Sequence, residues 1–279
     1  MGRSPVTFGA LAVKAEDATV LAMELAAAQQ TRKPISPISE RIVSFTTDDA
    51  YQVQLAHLSE RELAGRLQKG HKIGLTSRAM QEQLQIDSPD YGYLLDDMFW
   101  SSGDKVAFEF IQPRIEPEIA VILGKDIADP RASRDQVASA VRAVAPALEI
   151  IDSRFANWRI KLVDTIADNA SSAGVILGPE STWTGEPDLR SVICQFYLND
   201  ELVGSGDGSA VMGDPLEAVS WLARLLIAKG RQLRAGEIVI PGALTGAVAI
   251  EQGDTVRATF EGIGSVWCAF AQGIEVSDG

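Results

Sequence analysis

From residue 17 to residue 31 the chain runs Asp-Ala-Thr-Val-Leu-Ala-Met-Glu-Leu-Ala-Ala-Ala-Gln-Gln-Thr. Strong helix formers behind an opening aspartate predict a helix. Lys33-Pro34-Ile35-Ser36-Pro37 stops it, because proline disfavours helix at its own position and at the one before. Thr47-Asp48-Asp49 opens a second amphipathic helix that runs to about Gln68 and closes at Lys69-Gly70. The two helices are expected to form a small cap or arm over residues 1–69. From Gly70 the pattern changes. Short apolar strands at 115–123, 146–151, 173–177, 192–198, 236–241, 246–250, 255–260 and 265–270 alternate with Gly, Asp and Pro turns, interrupted by helices near 133–145 and 214–229. Strands clustered without regular βαβ alternation predict an α+β protein whose larger domain, 70–279, has a rolled or barrel-like β core. The polar tail 273–279 is expected to fray.

Composition narrows the class. At 279 residues and 46% hydrophobic, the chain is long enough to bury a core without a disulfide or structural metal. Lysine and arginine total 25 against 38 acids, so 25 − 38 gives a net charge of −13. Such a surface repels nucleic-acid phosphate and anionic lipid, so neither nucleic acid nor membrane is expected as a partner. Cys194 and Cys268 sit among apolar neighbours without metal-type spacing, which fits a reducing, cytoplasmic setting. No apolar run approaches the length of a membrane span, and the start lacks a signal-peptide pattern.

Candidate chemistry centres on Arg114-Ile-Glu116-Pro-Glu118-Ile-Ala-Val-Ile-Leu123. In a strand, Glu116 and Glu118 project from one face together with Ala120 and Ile122. Two carboxylates so held resist joint ionisation unless a cation or a shared proton compensates. Glu149 is a third embedded acid, between Leu148 and Ile150, where an unpaired charge is costly. Two readings stand open on spacing alone. One is a divalent-cation site of all-oxygen ligands; the other is a pair of ordinary ion pairs, Glu118 with Arg114 and Glu149 with Arg154. Lys72, between glycines in Gly70-His-Lys-Ile-Gly74-Leu-Thr76-Ser77, reads either as a strand-edge lysine reaching solvent or as a ligand-binding or acid–base group. Ser88-Pro-Asp90-Tyr-Gly92 has turn composition, so an Asx-turn and a site aspartate both fit. Asp168-Asn-Ala-Ser171-Ser-Ala-Gly174 presents hydroxyls and amides to a ligand or simply turns the chain. His57 and His71 lack partner patterns and read as structural. Gly204-Ser-Gly-Asp-Gly208 is not placed as a dinucleotide fingerprint and reads as a hairpin turn.

Taken together, these segments resemble the 2-keto-4-pentenoate hydratase / 4-oxalocrotonate decarboxylase family of the fumarylacetoacetate hydrolase superfamily. The resemblance covers roughly 45–270. It rests on 70–77, Pro89-Asp-Tyr-Gly92, Pro113-Arg-Ile-Glu-Pro-Glu-Ile119, Ala147-Leu-Glu-Ile-Ile-Asp-Ser-Arg154, Val163-Asp-Thr-Ile-Ala-Asp-Asn-Ala-Ser171, Pro241-Gly-Ala-Leu-Thr-Gly246 and Phe260-Glu-Gly-Ile-Gly-Ser265. It implies a mixed β-roll core with a small helical N-terminal region, and Mg2+ or Mn2+ on Glu116, Glu118 and Glu149. It also implies catalytic roles for Lys72, Asp90 and Lys161, and substrate contacts from Thr76, Ser171 and Thr245. Pro117 departs from the alanine or valine common in relatives, and a strand-entry or edge position tolerates it.

The activity so implied is metal-dependent addition of water to a 2-hydroxy-2,4-dienoate, giving a 4-hydroxy-2-oxo acid in aromatic meta-cleavage degradation. The substrate is 2-hydroxypenta-2,4-dienoate or a longer dicarboxylate analogue such as 2-oxo-hept-4-ene-1,7-dioate. Gly70–Trp100 resembles the enzymes for the longer substrate and Trp158–Thr165 those for the shorter, so tail length stays open. The alternatives are a 4-oxalocrotonate-type decarboxylase, a carbon–carbon hydrolase and a non-catalytic partner subunit. Relatives form homo-oligomers, and one is expected here.

Overall fold

The computed structural model describes residues 13–77, 81 and 88–271. The tail 273–279 lies outside them. The N-terminal region holds α1 (Ala15–Thr31), the single turn α2 (Ile38–Arg41) and α3 (Thr47–Leu63). Thr46 caps α3 in a reciprocal capping box with Asp49. The helix stops at Leu63, short of the predicted Gln68, because Gln68–Gly74 pairs as strand β1.

The remaining strands are β2 (Asp90–Leu95), β3 (Phe99–Ser101), β4 (Lys105–Ala107), β5 (Arg114–Leu123), β6 (Val141–Ile151), β7 (Ser172–Leu177), β8 (Ser181–Thr182), β9 (Ile193–Leu198), β10 (Glu201–Asp207), β11 (Ile238–Ile240), β12 (Val248–Ala249), β13 (Thr255–Phe260) and β14 (Gly264–Ala271). Helices α4 (Arg134–Ala140), α5 (Leu162–Ala167) and α6 (Pro215–Ala228) complete the described elements. The helix predicted over 133–145 overruns its true end. Pro146 excludes helix, and Val141 and Val144 instead pair with Leu123 and Val121 of β5.

The larger sheet has the order β2-β1-β11-β5-β6-β7-β3, with β12 also on β5 and β8 also on β6. Its two terminal strands are consecutive in sequence: β2 ends at Leu95, β3 begins at Phe99, and a 3-10 turn, Asp96–Met98, joins them. A flat seven-strand sheet would hold those edges about 29 Å apart, whereas four residues reach at most about 14 Å. The sheet must therefore roll. Its two faces are both buried. Ile115, Ile119, Val121, Leu148 and Ile150 join the main core with α1, α3 and α6. The other face is a small inner layer of Leu94, Ala120, Ile122, Ala143, Ala145, Ala147, Val175 and Ile240. Alanine is what a tightly rolled interior accommodates. Glu116, Glu118 and Glu149 continue that inner face.

The second sheet, β10-β9-β13-β14-β4, covers one end. The segment 204–208, predicted as a turn, lies mostly inside β10. The β9–β10 turn falls instead at Asn199-Asp200, both at positive φ (50° and 65°), where these two residue types are tolerated. Pro117 is interior rather than at an edge. Its carbonyl accepts from Leu244 N–H (3.0 Å), on the side where β11 and β12 leave a gap beside β5, so its missing N–H deprives no ladder bond.

Candidate active site

Register brings the acids together. Glu116 of β5 stands directly opposite Glu149 of β6, and Glu118 opposite Ala147. Like charges directly opposite across an antiparallel pair destabilise it. Here one oxygen from each of Glu116, Glu118 and Glu149 lies within 4.8 Å of the others. Glu118 and Glu149 are fully buried. Neither finds an arginine: Arg154 pairs with Asp168, and Arg114 stacks over the Trp158 ring at 4.8 Å. The two-ion-pair reading is thereby excluded.

Lys72 supplies the ammonium among these carboxylates. It is not at a strand edge, since β1 lies between β2 and β11 with Lys72 opposite Gly92 on one side and Ile240 on the other. The side chain is buried, with the residue 3% exposed. Its Nζ sits 3.3 Å from Glu149 Oε2 and donates to the Ala170 carbonyl at 3.1 Å. Burial opposes its charge, but Glu149, Asp90, Glu116 and Glu118 outweigh burial and hold Lys72 above its usual range. These carboxylates favour its charged form.

Asp90 opens β2 rather than forming a turn. It pairs with Gly74 across β1, and its buried carboxylate occupies the space that a side chain at Gly74 would take. A Cβ there would fall 2.3 Å from Asp90 Oδ1 and 3.2 Å from Lys72 Nζ. Asp90 Oδ2 accepts from Thr165 Oγ1 at 2.7 Å, while Oδ1 has no hydrogen-bond partner. Burial raises the Asp90 pKa, against the opposing pull of Lys72 and Thr165.

The acids respond to the same forces. Burial first, and Glu149 next, push Glu116 up to about 7. Burial, with Glu149 and Glu116, lifts Glu118 well above the ordinary carboxylate range, against the Gly242 N–H that donates to Glu118 Oε2 at 2.7 Å. Burial raises Glu149 against Lys72. Glu118 Oε1 and Glu149 Oε1 lack hydrogen-bond partners, and Glu149 Oε2 has the Lys72 ammonium at 3.3 Å. Buried polar atoms are normally paired. Three convergent glutamates, Glu116, Glu118 and Glu149, with oxygens left without a hydrogen-bond donor, form the all-oxygen donor set a hard divalent cation takes. The residues fit such an ion.

The remaining candidates divide. Thr76 is buried against Gly242, whose φ of +131° only glycine adopts readily, and whose Cβ position would lie 2.0 Å from Thr76 Oγ1. Ser171 is buried, with a hydroxyl that lacks a partner, and closes the turn carrying Ala170. Thr245 is half-buried in the 241–246 loop and donates to the Gly246 carbonyl at 3.1 Å. Lys161 is exposed at the N-terminal boundary of α5, outside the buried cluster. Neither histidine belongs to the carboxylate cluster: His57 Nδ1 bonds the Tyr93 hydroxyl at 2.8 Å, and His71 Nε2 lies 2.9 Å from Gln68 Nε2. Sequence reasoning did not single out Thr165 or the Gly242 N–H. The one signal was that both lie inside the quoted segments 163–171 and 241–246.

Residues 57–270 match the fumarylacetoacetate (FAA) hydrolase C-terminal family, and the chain belongs to that family. The chain is 42% identical over 248 residues to 2-keto-4-pentenoate hydratase 2 of Dechloromonas aromatica strain RCB, covering 88% of this chain and 95% of that one. It is 40% identical over 259 residues to 2-oxo-hept-4-ene-1,7-dioate hydratase of Escherichia coli, covering 90% and 97%. Among solved structures, 4-oxalocrotonate decarboxylase from Pseudomonas putida G7, complexed with magnesium and adipate, superposes with a TM-score of 0.89 at 34% identity, covering 92% of this chain and 98% of that one. No helix among the described residues is long and apolar enough to cross a membrane.

Proposed function

We propose that this protein is a hydro-lyase that adds water to a 2-hydroxy-2,4-dienoate, yielding a 4-hydroxy-2-oxo acid. The observation that carries the reading is the convergence of Glu116, Glu118 and Glu149 beside Lys72 and Asp90 in one buried cluster. The hydratase relatives at 40–42% identity support the reaction class.

The three glutamates would hold a divalent cation, and their all-oxygen donor set suits magnesium, manganese or calcium, of which the family resemblance favours magnesium or manganese. That ion, when bound, supplies Lewis-acid stabilisation to the negative charge that develops on the 2-oxygen. This chain's own groups manage the protons. Asp90, whose Oδ1 has no hydrogen-bond partner, takes the proton from the 2-hydroxyl and moves it to C5, giving the conjugated ketone. It then removes a proton from the water that attacks C4 and delivers that proton to C3 as the enolate collapses to the 2-oxo acid, which regenerates the carboxylate. Lys72 stays charged and offsets the negative charge passing through the site; its bond to the Ala170 carbonyl fixes where that charge sits. Thr76, Ser171 and Thr245 are assigned to substrate contact. Lys161, exposed at the N-terminal boundary of α5 and outside the buried cluster, is given no step in this proton transfer.

A second reading is decarboxylation of a 2-oxo-3-enedioate, favoured by the superposition on 4-oxalocrotonate decarboxylase. Loss of carbon dioxide needs no base for water, so the buried Asp90 favours hydration. The test is the ultraviolet absorbance of 2-hydroxypenta-2,4-dienoate with enzyme plus magnesium, manganese or EDTA, with product masses. Absorbance loss with gain of one water, abolished by EDTA, is expected. Carbon dioxide release from 2-oxo-3-hexenedioate without hydration would move the assignment to the decarboxylase.

A further inference from the structure

We propose that Thr165 is a positioning residue for Asp90, holding one carboxylate oxygen so that the other faces Lys72 and the substrate, with Gln54 setting the spacing between them. This rests on the proton-transfer role assigned to Asp90 above. Thr165 Oγ1 lies 2.7 Å from Asp90 Oδ2 and 2.9 Å from the Leu162 carbonyl, and both side chains are buried. A hydroxyl has one proton and two lone pairs. Thr165 therefore serves Asp90 throughout a proton transfer. It donates to the carboxylate, or it accepts from the carboxyl while its own proton turns to Leu162. In either case Oδ2 stays engaged and Oδ1 stays free.

The short helix α5 bearing Thr165 is clamped from the N-terminal region. The Asp164 carboxylate accepts from Ser39 N–H (2.9 Å), Ser39 Oγ (2.6 Å) and Lys161 N–H (2.9 Å). Gln54 of α3 is 1% exposed, and its Nε2 donates to both the Tyr91 carbonyl (2.8 Å) and the Ile166 carbonyl (3.0 Å). One side-chain amide thus bridges the residue after Asp90 to the residue after Thr165. The distance from β2 to α5, and with it the Thr165–Asp90 bond, is set by a residue far from the reacting atoms.

The experiment compares T165V, T165S and Q54M with wild type in metal-loaded enzyme. For T165V, kcat is expected to fall roughly 10- to 100-fold with KM within about threefold. T165S, which keeps the hydroxyl, should recover kcat to within about threefold of wild type, and Q54M should lower kcat in the same direction as T165V but less. Wild-type kcat in T165V, or T165S as slow as T165V, overturns the proposal. If T165V does not fold, T165A carries the same comparison. If the wild type does not hydrate the dienoate, the reaction assignment fails, and crystal structures of wild type and T165V decide this proposal separately. An Asp90 carboxylate rotated away from Lys72 supports it, and an unmoved one overturns it.

Discussion

Glu149 and Asp90 both carry buried carboxylates near one lysine, yet their oxygens have different surroundings, and this separates their roles. Glu149 contributes an oxygen to the cluster with Glu116 and Glu118 and has the Lys72 ammonium 3.3 Å from its Oε2, whereas Asp90 lies outside that cluster and has one oxygen satisfied by Thr165. E149Q should weaken divalent-metal binding by at least about tenfold, because an amide offers one weaker oxygen donor in place of a carboxylate. D90N should leave metal binding near wild type and lower kcat about 100-fold or more, because the amide accepts no proton. Isothermal titration with manganese beside steady-state hydration rates checks both; equal metal loss in the two variants would contradict the division. At this scale the sequence was informative about the acids. The period of two puts Glu116 and Glu118 on one face, and Glu149 is conspicuous between Leu148 and Ile150. Lys72 was not legible as buried, because what covers it is β11, which follows in the chain some 165 residues later. Nor was the choice between metal and ion pairs, since that turned on Arg154 finding Asp168 instead.

The turn Asn169–Ser171 shows how an element is bent to serve the site. All three residues have positive φ, 53°, 51° and 55°, although none is glycine. Such conformations cost energy and persist where the surroundings over-determine them. Here Arg154 donates to the Asp168 carboxylate and carbonyl, to the Asp152 carbonyl (2.7 Å) and to the Ser172 carbonyl (3.2 Å). The Asn169 side chain brackets Tyr93, accepting from its N–H at 2.9 Å and donating to its carbonyl at 3.0 Å. The strained carbonyl of Ala170 is what Lys72 holds. R154M leaves a buried Asp168 unpaired, a loss of about 3–5 kcal/mol. It should melt about 10 °C lower, with R154K intermediate because an ammonium cannot reproduce the guanidinium fork. A melting temperature unchanged in R154M by differential scanning calorimetry would refute this account of the turn. Sequence pattern located most elements but misjudged those whose form depends on distant partners. Asp90 has turn composition but becomes a strand because β1 pairs with it. The glycines at 204–208 look like a turn but extend as β10 because Asn199-Asp200 turns the chain first.

For the whole molecule, the roll has a consequence for stability. It brings four carboxylates and one ammonium into the buried interior, so the folded chain without metal carries repulsion that the unfolded chain does not. The sign follows from the carboxyls. Glu116 is raised to about 7, and Glu118 and Glu149 are raised as well, so between the ordinary carboxylate range and about pH 7 the folded state binds more protons than the unfolded. Stability of the metal-free protein therefore falls as pH rises through that window. A divalent cation replaces those protons, so its affinity rises with pH through the range in which Glu116, Glu118 and Glu149 lose them. The stabilisation it confers follows: at metal about 100-fold over its Kd, folding gains about 2.7 kcal/mol, or roughly 5 °C or more in melting temperature. At a fixed magnesium or manganese concentration, the shift over EDTA-treated protein should be larger at pH 8 than at pH 6. E149Q should show a smaller shift at pH 8, because fewer buried charges then call for the ion. A shift equal at both pH values, or equal in wild type and E149Q, would place the bound ion elsewhere than on Glu116, Glu118 and Glu149.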